Sequence, residues 1–376
     1  MPEVIVVGAG IGGLATAIAF TRLGRPVRVL ERTPELAAPG AGLSLWPNAL
    51  RALDALGIGD RVRSRAVEHG SAGIRDSRGR WLSEFDLPAL AQRYGLPIVV
   101  HRADLLDILR SALPAGAIRT GVTVTEARPD GLVRHTGGEI RADLIVGADG
   151  INSVVRRAVA DTVHPVYSGY TAWRVVVAPS GPVTEFGESW GRGLRFGFAP
   201  LTDGRIYAFA CANKPEGAPS AGLAEVRELF GDWHDPIPAL LAAADPAAVL
   251  HHDIYRLPGL KSFVAGRIAL LGDAAHAMSP NLGQGACQAL EDAVVLAAVV
   301  AESGVAGTAE TGSDGLARYD RLRRPRTRMI AARSDRLGAV GQLSSRPVVA
   351  ARDAVMRMTP PSAQFRALAP ILDWRP

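Results

Sequence analysis

A chain of 376 residues with 48% apolar and 21% charged side chains can bury a large core, and this balance sets aside fibrous and disordered classes. The net charge of +5 rests almost wholly on Arg, and no basic run alternates with aromatics, so no nucleic-acid partner is expected. Two cysteines, Cys211 and Cys287, make neither a disulfide framework nor a CxxC metal site, and no apolar run reaches the ~20 residues of a membrane helix. The expectation is a soluble cytoplasmic protein with no metal and no membrane partner.

The chain opens on a buried-strand pattern, "EVIVV", followed by "IGGLATAIAFTRLG", a helix that Gly24 ends. "PVRVLERT" reads as the next strand. "ALRALDALGIGD" reads as an amphipathic helix stopped at Gly57, and "RADLLDILRSAL" as another with Asp104 in its first turn. "ADLIVGADG" is a buried strand running into a turn. This β-α alternation predicts a parallel, doubly wound sheet.

From about 163 the character changes. "YTAWRVVV", "LRFGFAPL", "RIYAFACA" and "LHHDIYRL" are aromatic and β-branched strands, with a helix at roughly 220–230. They predict an antiparallel or mixed sheet. At "RIALLGD" the parallel style returns, with helices at about 284–302 and 315–340 and the loop "AESGVAGTAETGSDG" between them. The basic run "RLRRPRTR" reads as a solvated helix face broken at Pro325. The domain reading is therefore discontinuous. Residues 1–162 and 258–335 form the first domain, 163–257 an inserted substrate-binding sheet lobe, and 336–376 a C-terminal helical segment.

"GAGIGG" places Gly8, Gly10 and Gly13 between a strand and a helix, and Glu31 closes the second strand about twenty residues on. The first glycine suits a tight turn, the second lets a pyrophosphate approach the backbone, and the third lets helix and strand pack closely. Glu31, with Arg32 beside it, would meet an adenosine ribose. Nicotinamide and flavin dinucleotides both fit this opening.

Two later motifs separate them. "ADLIVGADGINSVVRR" sets Asp149 and Gly150 at a strand end. "GDAAHAMSPNLGQG" sets Asp273 at another, then a Pro and glycines at the start of a long helix, where bare N–H groups attract negative charge. The three motifs in this order resemble the single-component FAD-dependent aromatic hydroxylases of the p-hydroxybenzoate hydroxylase type. The resemblance extends over most of the chain, including "GAGLSLWPNALRALDALGIGD" and "VHRADLLDILRSAL".

The resemblance implies an α/β fold: a Rossmann-like FAD-binding domain, an inserted mixed or antiparallel sheet lobe for substrate, and C-terminal helices. It implies that Gly8, Gly10 and Gly13 hold the FAD pyrophosphate, and Glu31 and Arg32 the adenosine end. Arg102 would reach the pyrophosphate side. Asp149 and Gly150 would serve FAD and NAD(P)H, and Asp273 the ribityl chain. Pro280, Gly283, Gln284 and Gly285 would lie against the flavin ring. NAD(P)H would be a transient co-substrate, since the one fingerprint belongs to FAD. The implied reaction is hydroxylation of an aromatic or heteroaromatic small molecule through a flavin C4a-hydroperoxide.

Alternation along "GLRFGFAPL" separates Arg195 from Leu194, Phe196 and Phe198, while Tyr207, Phe209 and Cys211 share a face of "RIYAFACA". At these spacings Arg195 and Tyr207 resemble the catalytic pair of FAD-dependent urate hydroxylases, which implies an anion partner and a ring hydrogen bond. A surface Arg and a half-buried sheet Tyr are the bland alternative. His276 is expected to be structural, and His251 and His252, adjacent on a strand, to face opposite ways. Epoxidation of an alkene by the same cofactor, a non-catalytic FAD- and ligand-binding sensor, and a plain nicotinamide dehydrogenase remain as alternatives.

Overall fold

The computed structural model describes residues 3–36, 41–67, 71–179, 181, 183–303 and 309–376, apart from the side chains of 309–313 and 361. Its first layer is a six-stranded sheet in the order Val264–Ala265, Ile268–Leu270, Leu144–Gly147, Val4–Val7, Val27–Leu30, Ile118–Arg119. Every pairing is parallel except that of the edge strand Val264–Ala265. Val4–Val7, Leu144–Gly147 and Ile268–Leu270 are buried along their whole length, as continuous apolar runs covered on both faces must be.

The helix Ile11–Arg22 packs closely on the helix Gly285–Glu302. Gly12 makes this possible, since a Cβ there would lie 2.6 Å from the Leu271 side chain and 3.1 Å from the Ala289 Cβ. A two-stranded ribbon, Gly42–Leu45 against Ile98–His101, and a three-stranded sheet, Val124–Ala127, Leu132–His135 and Gly138–Arg141, complete this side.

The second layer is a mixed seven-stranded sheet. Its order is Leu250–Arg256, Val166–Val177, Ile206–Asn213, Leu194–Pro200, Glu185–Trp190, Ser71–Asp76, Trp81–Glu84. Four of its strands are those read from the sequence between 163 and 257. Ser71–Asp76 and Trp81–Glu84 come from the first 162 residues, and Ser71–Asp76 joins parallel to Glu185–Trp190. The outer face carries Trp173, Val175, Phe196, Phe198, Ile206 and Ala208 into an apolar core with the helices Leu223–Phe230 and Ile237–Ala243.

The C-terminal helices differ from the sequence reading in two ways. The long helix runs Ala309–Gly341, so it begins inside the stretch read as a loop, of which 304–308 lie outside the described residues. It also passes straight through Pro325, whose ring is exposed, rather than breaking there. "RLRRPRTR" is a solvated face only on the side of Arg321, Leu322, Pro325 and Arg328, which are exposed; the other side is buried. Arg323 is 1% exposed and pairs with Glu291 at 2.5 Å and Asp292 at 2.6 Å, and Arg326 pairs with Glu291 at 2.7 Å. The acids that interrupt the apolar helix Gly285–Glu302 thus face arginines of the long helix across a dry interface. The helices Arg346–Met358 and Pro361–Leu372 follow, and Arg326 reaches the carbonyls of Pro370 and Ile371. Among the described residues no helix is long and apolar enough to cross a membrane.

Candidate active site

The three fingerprint glycines do three different jobs. Gly8 has φ +102°, and a Cβ there would meet the Ala148 carbonyl at 2.4 Å. A Cβ on Gly13 would lie 2.0 Å from the Gly8 carbonyl oxygen, so this glycine lets the helix sit on the turn. Beside Gly10 nothing lies within 4 Å. Among the described residues no side chain caps the helix that Gly10 starts, so its first N–H groups lack a side-chain partner.

Glu31 spans the turn. Its carboxylate accepts from the Ala9 N–H at 2.8 Å, and from the Thr33 N–H and hydroxyl, both at 2.9 Å. Burial alone would raise its pKa, but the bonds from Thr33 and Ala9 outweigh it and hold the group below the usual range. Arg32 and Arg102 are exposed, and Arg102 begins the helix Arg102–Ser111, which also has no side-chain cap.

Asp149 is engaged by its own turn. It accepts from Ser153 Oγ at 2.6 Å and from the N–H groups of Val154 at 2.7 Å and Val155 at 3.2 Å. Gly150 follows at φ +78° with open space beside it. Arg156, buried behind this turn, donates to the carbonyls of Ile151 and Ala274, which ties it to the Asp273 strand end.

Asp273 is exposed and has no hydrogen-bond partner among the described residues. The groups around it hold one another. Asp292 accepts from the Gly272 N–H at 3.0 Å and contacts His276 Nε2 at 2.6 Å. Burial raises the pKa of Asp292, but His276 and Arg323 more than reverse this and bring it down to about 2. His276 therefore holds the loop rather than facing the open groove, although its Nδ1 is buried without a partner.

Past Pro280, Gly283 takes the left-handed conformation at φ +60°. Gln284 turns inward, where its carbonyl oxygen accepts from Asn48 and Gln288, both at 3.0 Å. Gly285 has open space beside it, and the helix it starts has no side-chain cap. Gly10, Gly285 and Arg102 thus each begin or adjoin a helix of at least ten residues with a bare N-terminus.

The inner face of the seven-stranded sheet approaches this loop. Pairing of Arg195 with Cys211, of Ala199 with Tyr207 and of Val176 with Tyr207 puts all of these on one face. Sequence alternation separates faces within a strand, and the register shows that Arg195 and Tyr207 share one. The ribbon strand Gly42–Leu45 lies between this face and the loop. A Cβ on Gly42 would sit 2.5 Å from the Tyr207 ring, and a Cβ on Gly283 would sit 3.2 Å from Trp46 Nε1 and 3.6 Å from Ser44 Cβ.

Tyr207 is half-buried, and burial raises its phenol pKa despite the nearby Arg174. Tyr170 Oη donates to Asn281 Oδ1 at 3.1 Å, and burial pushes its phenol up to about 12. Arg195 is 2% exposed. Its Nε donates to Gln342 Oε1 at 3.1 Å, its Nη1 lies 3.6 Å from Glu188, and its guanidinium stands over the Tyr170 ring at 5.3 Å.

Sequence reasoning missed Gly42, Arg174, Tyr170 and Gln342, while Asn281 lies within "GDAAHAMSPNLGQG". "GLSLWPN" was the available signal for Gly42, but nothing local marks the others. Of the tryptophans, Trp173 packs in the outer core and Trp190 is buried with Nε1 on Glu188. His251 bonds Thr171 on the Trp173 face, opposite His252. Among the described residues no group of His, Cys, Asp or Glu is placed to hold a metal ion.

The family described as the FAD binding domain matches residues 1–334. The aurachin C monooxygenase/isomerase of Stigmatella aurantiaca is 39% identical over 365 residues, covering 94% of each chain. The chain belongs to the FAD-dependent aromatic hydroxylases.

It is 36% identical to the 3-amino-4-hydroxybenzoate 2-monooxygenase of Streptomyces cremeus, over 95% of this chain and 92% of that one. The crystal structure of Klebsiella pneumoniae HpxO with FAD and uric acid superposes with a TM-score of 0.89 at 29% identity, covering 99% of this chain and 96% of that one. This flavoprotein is an oxidoreductase, an FAD-dependent aromatic monooxygenase with NAD(P)H as reductant. Its α/β architecture is that of the hydroxylases. The epoxidase, sensor and dehydrogenase alternatives are not favoured.

Proposed function

We propose that this hydroxylase acts on an electron-rich aromatic or heteroaromatic ring bearing an oxygen substituent, bound between the sheet face of Tyr207 and the loop at Gly283. The observation that carries the reading is the Gly42–Leu45 strand, which touches Tyr207 at one end and leads to the Gly283 loop at the other. One similar protein is named for an aminohydroxybenzoate, and another is seen in complex with uric acid, both ring compounds of this kind.

The chain's residues suit FAD. Among the described residues, space lies open beside Gly10, Gly150 and Gly285, three helix starts have no side-chain cap, and the exposed side chains of Arg102 and Asp273 have no partners. Gly8, Gly10 and Gly13 with Arg102 would hold the pyrophosphate, Glu31 and Arg32 the adenosine end, and Asp273 the ribityl hydroxyls. Pro280, Gly283, Gln284 and Gly285 would carry the ring system, with the helix start supplying N–H donors toward its electron-rich edge. Asp149 and Gly150 shape the neighbouring turn, which is also where NAD(P)H would pass. Bound FAD supplies the redox chemistry, taking electrons from NAD(P)H and activating O2.

The remaining work falls to side chains. Val99, Val176, Phe186, Ala199 and Leu201 pack with Tyr207 and keep water from the ring. Tyr207, a phenol whose pKa burial raises further above neutral, donates its hydroxyl hydrogen to the ring oxygen. Arg195 fixes the wall behind Tyr170 through Glu188 and Gln342. The test is NADPH oxidation by the FAD-loaded protein across a panel of phenols, anilines and hydroxylated heteroaromatics. Stimulation by a subset, with a product one oxygen heavier, supports the reading, and no stimulation across the panel contradicts it.

A further inference from the structure

The inner face of the seven-stranded sheet continues beyond Tyr207. Val176, Tyr207 and Ala199 stand side by side across three strands. Gly187 pairs with Phe198 on the next strand, which brings Phe186 beside Ala199, and Phe186 in turn pairs with Ala72. The half-buried Phe186 packs with Val99, Ala199 and Tyr207, so the row is one apolar surface.

At its far end the row opens on a cavity of about 290 Å³. Ala72 and Phe186 line it from the sheet, Leu87 from the start of the helix Leu87–Tyr94, and Leu96 and Ile98 from the head of the ribbon strand. Phe186 therefore belongs both to the cluster around Tyr207 and to the cavity wall. Interiors are close-packed as a rule, so an apolar space of this size beside a substrate site marks room for a ligand. It is about twice the roughly 150 Å³ of a cavity that admits benzene, which gives space for roughly ten carbon atoms.

Charge narrows the choice of occupant. Among the described residues the one charged group on the wall is Arg63, and Asp54 holds both of its terminal nitrogens, at 2.6 and 2.7 Å. That cation is already matched by a bidentate partner, and the other wall residues are apolar. A carboxylate placed there would lose its water for no new partner. Shape narrows it further. The Phe186 side chain stands between the cavity and the Tyr207 face, and a flexible substituent can bend around it where a rigid second ring cannot.

We propose that this cavity is a subsite for an uncharged aliphatic substituent of the substrate, a chain of up to about ten carbons that passes Phe186 while the ring stays against Tyr207. The inference rests on the proposed placement of the ring there. Burial of the chain, remote from the reacting carbon, holds the ring in one orientation and so selects which carbon is hydroxylated.

The probes are 2-alkylphenols and 4-alkylphenols, from methyl to octyl, added to the FAD-loaded protein. Perturbation of the flavin absorbance reads their binding without turnover. In at least one of the two series Kd falls about fourfold for each added methylene, the fold-change of ~0.8 kcal/mol per buried CH₂. A carboxylate at the end of the chain cancels that gain. Ala72→Leu fills the cavity from the sheet and weakens the octyl compound about tenfold, the effect of roughly two buried methylenes, with the methyl compound unchanged. Leu87→Trp fills it from the opposite wall and has the same selective effect, so the test survives misfolding of either variant. Affinity that is flat with chain length in both series, a terminal carboxylate that binds as well as the hydrocarbon, or filling variants that weaken methyl and octyl compounds alike overturns the inference. Those results leave the monooxygenase reading standing if aromatic turnover persists, whereas a silent substrate panel removes that reading on its own.

Discussion

The two walls of the proposed active site are built on different plans. The proposed cofactor wall is made of backbone: among the described residues, its glycines have nothing beside them, its helix starts have no side-chain caps, and the exposed side chains of Arg102 and Asp273 have no partners. The substrate wall is made of side chains that already hold one another, with Arg195, Glu188, Gln342, Tyr170 and Asn281 joined in one network. A large ligand common to many enzymes is met by groups held in reserve. A ligand that varies among relatives is met by a prepacked surface with few free groups. Damage to the first wall should therefore appear as lost FAD, and damage to the second as lost turnover with FAD retained.

The scaffold beneath both walls should give the largest effect. Arg323→Met leaves Glu291 and Asp292 buried without the partner they share, and should lower the unfolding free energy by about 3–5 kcal/mol in chemical denaturation. A loss under 1 kcal/mol would mean that the dry ion network is not what holds the flavin-loop helix.

Gly42→Ala should sharpen the contrast. The added methyl must displace the Tyr207 ring, 2.5 Å away, so kcat should fall by about 10²-fold while FAD content stays full. Loss of FAD with kcat per bound flavin unchanged would move Gly42 to the cofactor wall. Asp273→Ala should do the reverse, weakening FAD binding by ~1.5–3 kcal/mol, the scale of a charge-assisted hydrogen bond. FAD titration of the apoprotein reads this, and an unchanged Kd would remove Asp273 from the cofactor wall.

The smallest effect is a pH dependence. The folded-state pKa of Asp292, about 2, lies below the ordinary carboxylate value of about 3.9, so its stabilising contribution is present above the unfolded value and fades as pH falls toward 2. Stability measured between pH 5 and about 2 should therefore drop more steeply in the unsubstituted protein than in Asp292→Asn. Equal slopes would show that this carboxylate does not carry the acid limb.

Legibility in the sequence followed the same division. The cofactor wall depends on residues close together in the chain, so "GAGIGG", "GADG" and "GDAAHAMSPNLGQG" each carried their own strand, turn and helix start. The substrate wall depends on which strand lies beside which. Alternation placed Arg195 and Tyr207 on faces of their own strands, but only the register put them on one face and added Arg174.

Nor did any local pattern announce that Ser71–Asp76 would join that sheet. Composition misdirects at "RLRRPRTR" for a related reason. Arginine signals solvent until buried acids on another helix, here Glu291 and Asp292, give it a reason to be inside. The proline there is tolerated because its ring lies on the exposed side of a helix anchored on both flanks.

The most direct test of the account uses labelled dioxygen. FAD-loaded protein, NADPH and a ring substrate that stimulates its oxidation are incubated under ¹⁸O2, and the product mass is read. One heavy oxygen atom on a ring carbon per product formed is the predicted result. NADPH consumption that yields only peroxide for every substrate in the panel, or a product oxygen that comes from water, would contradict it.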